Sequence, residues 1–206
     1  MNQNDFIIKD GNFIGEFENL YKNFDDPWTQ SLLETYALEK TIGIELLKKN
    51  KHTNPIELGC GHGYYTNRVK ESIGNCVGVD ISKTAIEKAI NIHPECEFIV
   101  SDIDNEDLFS EKIDCVMMVE ITWYVLPKLK EFKEMLSQKY GGKGVGFFHS
   151  LNIYPEGVQK YGLEYFSNNK EIMEYFKDVI EIESFGEFSS KEFNECSRTF
   201  FYGKIK

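Results

Sequence analysis

No two cysteines in this chain form a C-x-x-C, and no two histidines lie three or four residues apart. The five cysteines stand at 60, 76, 96, 115 and 196, an odd number at wide spacing; the four histidines stand at 52, 62, 93 and 149. These patterns exclude a disulfide scaffold and a zinc site, so no metal is expected and a reducing compartment fits. Apolar runs of 18 residues are also missing, and the opening M-N-Q-N-D is polar and acidic. Neither a membrane helix nor a signal peptide is expected, which makes the chain a soluble, cytoplasmic protein on this reading. Basic residues are scarce, 23 against 34 acidic ones for a net charge of -11. That balance argues against nucleic acid and anionic membrane as partners. Repeats, linkers and low-complexity tracts are absent too.

What is present fits one domain over residues 1–206, large enough to bury roughly 70% of its unfolded surface. Aromatic content is high at 14%, with 16 Phe and 11 Tyr against 2 Trp. Residues 1–28 mix acidic and aromatic side chains without a clean period and are expected to form a lid. The spacing of Leu32, Leu33, Tyr36, Ala37, Thr41, Ile44, Leu46 and Leu47 predicts one long amphipathic helix from Thr29 to Asn50. Strands are expected at 56–58, 76–80, 97–100, 114–119 and 145–149, with helices at 64–72, after Ser82, and at 129–140. A long irregular insert over 150–170 is expected on the substrate side, then a helix at 171–177 and strands at 179–184 and 197–205. Alternating βα units with a β-rich finish predict a doubly wound, mostly parallel α/β sheet ending in a hairpin.

The stretch P-I-E-L-G-C-G-H-G, residues 55–63, is the most informative. An apolar strand feeds glycines at 59, 61 and 63, and a helix follows, as in a backbone cradle for a nucleotide. Tyr64 occupies the place of the third glycine of a dinucleotide fingerprint, and no G-K-[ST] follows for a phosphate loop. What remains is a nucleoside-like ligand without a pyrophosphate. Glu57, at the carboxyl end of strand one, suits an ammonium group. Asp80 lies 21 residues beyond Gly59, near the ~20-residue spacing at which an acid takes ribose hydroxyls. Alternatively Asp80 only caps a helix.

E-L-G-C-G-H-G, V-G-V-D-I-S, S-D-I and D-C-V-M-M-V-E together resemble the class I S-adenosylmethionine-dependent methyltransferases. D-D-P-W-T-Q-S-L-L-E-T-Y and E-I-T-W-Y-V-L look like the small-molecule branch that includes the nodulation N-methyltransferase (NodS-like) family. In that branch D-P-W lies in an amino-terminal lid; the tyrosine-acid-x-x-basic run of the family is here T-Y-A-L-E-K, a partial agreement. The resemblance implies a seven-stranded Rossmann-like sheet with a helical lid, S-adenosylmethionine as methyl donor and S-adenosylhomocysteine as product. It gives Gly59, Gly61 and Gly63 the role of letting backbone pass under the methionine and ribose. Glu57 would orient the aminoacyl contacts, Asp80 hold the ribose, and Ile81 and Ile103 cover the adenine faces. Asp102 would accept from the adenine amine, Glu120 would face the reaction centre, and Tyr21, Trp28 and Tyr36 would close over the sulfonium. Ordinary packing or loop polarity is the competing explanation for Asp102, Glu120, Tyr21 and Trp28.

Methyl transfer needs chiefly alignment. A hydroxyl acceptor needs a general base, for which Glu120 and His149 are the choices, with Tyr124 placed to orient the acceptor. The expected substrate is a small polar metabolite (an amine, amino sugar, sugar or phosphorylated amino alcohol) methylated on nitrogen or oxygen by a monomer or homodimer. A non-catalytic nucleoside-binding protein on the same fold is the alternative.

Overall fold

The computed structural model describes residues 2–9, 12–33, 37–154, 158, 161–189 and 196–206. Seven strands form one sheet: β1 (Pro55–Leu58), β2 (Val77–Asp80), β3 (Glu97–Val100), β4 (Cys115–Val119), β5 (Gly146–Ile153), β6 (Ile180–Ser189) and β7 (Ser197–Ile205). Their spatial order is β3-β2-β1-β4-β5-β7-β6. The five strands from β3 to β5 run parallel, and β7 is antiparallel to both β5 and β6. The expected doubly wound sheet with a terminal hairpin is therefore present. Strand order reverses between β1 and β4, and in such sheets ligands bind outside the carboxyl ends of the strands at that reversal.

Alternation along the central strands builds two core layers. Val116 and Met118 of β4, Phe147 and Leu151 of β5, and Phe201 and Ile205 of β7 share one layer with α6 (Leu129–Tyr140) and α7 (Asn169–Phe176). Cys115, Met117 and Val119, with Phe148, Phe200 and Tyr202, pack on the other side against α3 (Leu38–Lys49) and α4 (Tyr64–Ile73). Helix α5 (Lys83–Ile92) joins β2 to β3. It is capped by Ser82, whose hydroxyl accepts from the Ala85 N–H at 3.1 Å.

Three expectations change. The single helix from Thr29 to Asn50 is two helices, α2 (Gln30–Leu33) and α3, with Ala37 extended just before the second. Asp26 caps α2 separately, accepting from the N–H groups of Gln30 (2.8 Å) and Ser31 (3.0 Å). Leu32 is 58% exposed and belongs to no apolar face. Strand β5 continues to Ile153, so the irregular segment begins four residues later than expected. Finally, the amino-terminal segment contains two short antiparallel strands, Ile8–Lys9 and Asn12–Phe13, before α1 (Phe17–Asn23).

Candidate functional site

Strand β1 runs straight into the glycine turn, where Gly59, Gly61 and Gly63 have φ of +69°, +56° and +75°. L-residues with a Cβ rarely adopt these angles. The three glycines nevertheless have different neighbours. A Cβ on Gly59 would strike Ile121, one on Gly61 would lie 2.6 Å from the Tyr21 hydroxyl, and one on Gly63 would enter the Phe98 ring. Only Gly59 lines the main cavity; Gly61 lies under the lid and Gly63 packs against β3. The turn is tied to β2 by Asp80, whose two carboxylate oxygens accept from the Gly61 and Ser82 N–H groups, each at 2.9 Å. Burial pushes the Asp80 carboxyl up to about 6, against those N–H contacts. Glu57 is buried and accepts from the Thr66 hydroxyl on α4.

The amino-terminal lid is fastened to this turn by side chains. Glu18 on α1 reaches the start of α5, accepting from the Ser82 hydroxyl (2.8 Å), the Thr84 N–H (3.0 Å) and the Thr84 hydroxyl (2.8 Å). Burial opposes its charge, yet these bonds and Lys22 bring its carboxyl down to about 2. In return Lys88 of α5 donates to the carbonyls of Tyr21 (2.9 Å) and Phe24 (3.0 Å), at the end of α1. Each helix thus caps the other, the acid on an N-terminus and the cation on a C-terminus, as the helix dipoles favour. Gln30 reaches the glycine turn itself, its amide oxygen accepting from the His62 N–H at 2.8 Å. His62, inside the glycine turn, is buried with its ring 5.1 Å from Tyr21. Aromatic contacts finish the closure: Trp28 and Phe17 lie 5.3 and 5.5 Å from Tyr124, and Phe13 stacks on Tyr161 at 5.4 Å.

Beneath the lid lies a cavity of about 380 Å³ at the strand-order reversal. Over β1, β2 and β3 its wall is Glu57, Gly59, Asp80, Ile81, Ser101, Asp102 and Ile103. Asp102 is ion-paired with Lys128, which also contacts Asp104 at 2.8 Å. The rest of the wall, around the ends of β4 and β5, includes Glu39, Lys40, Glu120, Trp123, Tyr124, Asn152, Tyr154 and Arg198, with Trp28 and Tyr21 from the lid. Glu120 has φ of +62°, the left-handed region, without being glycine. Its Oε2 accepts from the Asn152 N–H at 3.0 Å, while Oε1 is buried with no hydrogen-bond partner among the described residues. Burial and the charge of Glu39 push this carboxyl up to about 7, opposed by Lys40 and Arg198. Glu39 and Arg198 form a buried ion pair at 3.4 Å. Burial and the nearby Glu120 also push the hydroxyls of Tyr124 and Tyr154 up.

The cavity therefore gathers Tyr21, Trp28, Glu57, Gly59, Asp80, Ile81, Asp102, Ile103, Glu120 and Tyr124 from the expected set. Tyr36 lies outside the described residues. His149 is a correction. It is fully buried, its Nε2 2.7 Å from the Thr122 hydroxyl and its ring stacked on Phe201 at 4.8 Å, and burial depresses it to about 3. Period-two geometry explains this: His149 shares the core-facing side of β5 with Phe147 and Leu151. Because β5 runs to Ile153, the strand-end wall positions belong to Asn152 and Tyr154 instead. Glu39, Lys40, Gln30, Asn152 and Arg198 were not expected in the site. The T-Y-A-L-E-K run held the signal for Glu39 and Lys40, and the D-P-W-T-Q run that for Gln30.

Residues 56–139 match the family model described as a methyltransferase domain. The putative methyltransferase 235L of Invertebrate iridescent virus 6 is 28% identical over 108 residues, 52% of this chain and 35% of that protein. The chain thus spans about a third of that relative's length. Among solved structures, N-methyltransferase NodS from Bradyrhizobium japonicum WM9, in complex with S-adenosyl-L-homocysteine, aligns with a TM-score of 0.65 and 12% identity, covering 91% of this chain and 97% of that one. An S-adenosylmethionine-dependent methyltransferase from Clostridium acetobutylicum ATCC 824 aligns with a TM-score of 0.62 and 17% identity, covering 90% and 98%. Sheet order, glycine turn and these likenesses agree: the chain has the fold of the class I S-adenosylmethionine-dependent methyltransferases.

Proposed function

We propose that this chain is a methyltransferase that moves a methyl group from S-adenosylmethionine to the nitrogen or oxygen of a small polar metabolite. The observation that carries the reading is the cavity at the strand-order reversal, with the glycine turn and Asp80 on one side and Glu120 among aromatic rings on the other. S-adenosylmethionine, when bound, supplies an electrophilic methyl group on a positively charged sulfur. The residues present fit it. Gly59 leaves a space that any Cβ would fill against Ile121. Asp80 is held by two N–H groups and keeps lone pairs for a ribose diol. When the cofactor is bound, Glu57 would orient the aminoacyl end, Ile81 and Ile103 would flank the adenine, and Asp102, ion-paired with Lys128, would accept from the adenine amine. Tyr21 and Trp28 exclude water above the reacting groups, and alignment within the closed cavity supplies most of the acceleration. A lid over a cavity of about 380 Å³ fits a metabolite, and the net charge of -11 disfavours nucleic acid.

Calorimetry with S-adenosylhomocysteine tests the reading. The unmodified protein should bind it, and Asp80→Ala should weaken binding by ~1–3 kcal/mol through loss of charge-assisted hydrogen bonds. No binding by the unmodified protein sinks the proposal. Unchanged affinity in Asp80→Ala removes only the ribose assignment.

A further inference from the structure

We propose that Lys128 is a second reader of the cofactor base, donating to the adenine ring nitrogen beside the amine that Asp102 accepts from. The proposal rests on the methyltransferase reading and deepens it by adding a side chain to the base site. Lys128 and Asp102 both line the cavity, and they come from different parts of the chain. Asp102 follows β3, in a loop tied to the end of β2 by the Ser101 N–H, which donates to the Asp80 carbonyl at 3.0 Å. The acid for the base and the acid for the ribose are thereby held in one frame. Lys128 ends the 3₁₀ turn Leu126–Lys128 after β4, anchored by Leu126 and Leu129, both buried.

Counting donors and acceptors gives the pair its meaning. A lysine ammonium carries three N–H donors. Contacts with Asp102 and, at 2.8 Å, with Asp104 leave one of them without a partner among the described residues. On the Asp102 carboxylate, Oδ2 takes the lysine and Oδ1 has no donor among the described residues. One open donor and one open acceptor thus stand together, joined by the hydrogen bond between their own groups. Side-chain exposures of 43% for Lys128 and 31% for Asp102 leave both within reach of a ligand. Partial burial acts to lower the Lys128 ammonium, but Asp102 and Asp104 outweigh it and hold it above the usual lysine range, so it only donates. Adenine carries the matching edge, an N6 amine that donates beside a ring nitrogen that accepts. A guanine-like base has an accepting oxygen in place of that amine and would set it against the carboxylate.

Calorimetry with S-adenosylhomocysteine and its 1-deaza and 7-deaza analogues separates base reading from plain charge pairing. Each analogue turns one ring nitrogen flanking the amine into C–H, removing an acceptor and keeping the amine. Lys128→Met keeps the apolar stem and loses the donors. It should weaken S-adenosylhomocysteine binding ~10-fold. The unmodified protein should bind one of the two analogues ~10-fold more weakly than S-adenosylhomocysteine. The two losses should not add, so for that analogue Lys128→Met should cost less than ~2-fold. Equal weakening of all three ligands in Lys128→Met would show a charge pair that only steadies Asp102, and overturns the proposal. Unchanged S-adenosylhomocysteine affinity in that variant overturns it too, as does undiminished binding of both analogues by the unmodified protein. Failure of the unmodified protein to bind S-adenosylhomocysteine would instead remove the methyltransferase reading beneath it.

Discussion

The glycine turn and the lid cover the same cavity, but one is built from backbone and the other from side chains. In the turn, three positive φ angles and the N–H groups of Gly61 and Ser82 set the geometry, and Asp80 is the side chain that ties them. In the lid, Glu18, Lys88 and Gln30 make the connections, each a side chain bonding backbone groups of another segment. Backbone geometry cannot be altered without strain, whereas a side-chain clasp can release and re-form. The turn is the fixed half of the site and the lid the separable half.

Opposite responses to pH should follow. Asp80 has a folded value raised to about 6 from 3.8, so its contribution is favourable below the unfolded value and is lost as pH rises through about 6. Glu18 has a folded value lowered to about 2 from 4.5, so its contribution is present above 4.5 and is lost as pH falls towards 2.

Three variants would break or sharpen the contrast. Gly63→Val should have the largest effect, ~3 kcal/mol of folding stability, since it combines a left-handed backbone with a clash against Phe98. Denaturant titration measures it, and a loss below ~1 kcal/mol would mean that the turn relaxes easily. Asp80→Asn should stabilise the ligand-free protein by ~1–3 kcal/mol at pH 7 and have little effect near pH 4. A stability difference that does not change with pH would show that the carboxylate is not desolvated. Glu18→Gln should have the smallest effect, ~1 kcal/mol or less, the usual scale of a helix cap. Its signature is local: faster hydrogen exchange over residues 12–33 with unchanged protection in β1 and β4. Equal acceleration in both places would show the lid and the sheet to be one cooperative unit.

Much of the turn was legible in the sequence because its causes are local. Glycines at alternate positions, an acid before them and an acid at the end of the next strand each act through their own backbone. The five parallel strands were legible for a similar reason, being short apolar runs separated by helical spacing. The wall around Glu120 was harder to read. Arg198 and Asn152 meet only because β7 pairs antiparallel with β5, a register set by tertiary structure. His149 misled because the apolar run G-V-G-F-F-H ends at a residue that chemistry favours, while the strand itself continues through Ser150, Leu151, Asn152 and Ile153. The lid helix was drawn too long because Leu32 and Leu33 match a spacing that ignores the Asp26 cap.

The pairing of Asn152 with Arg198 across β5 and β7 has a consequence for how such a protein can diverge. On the proposed reading the cofactor wall is written in residues 57–103, and much of the wall around Glu120 in residues 120–154 together with position 198. These stretches hardly overlap along the chain. A lineage could trade one acceptor for another by altering the chain from residue 120 onward while inheriting residues 57–103 intact, and an engineer could graft that portion in the same way.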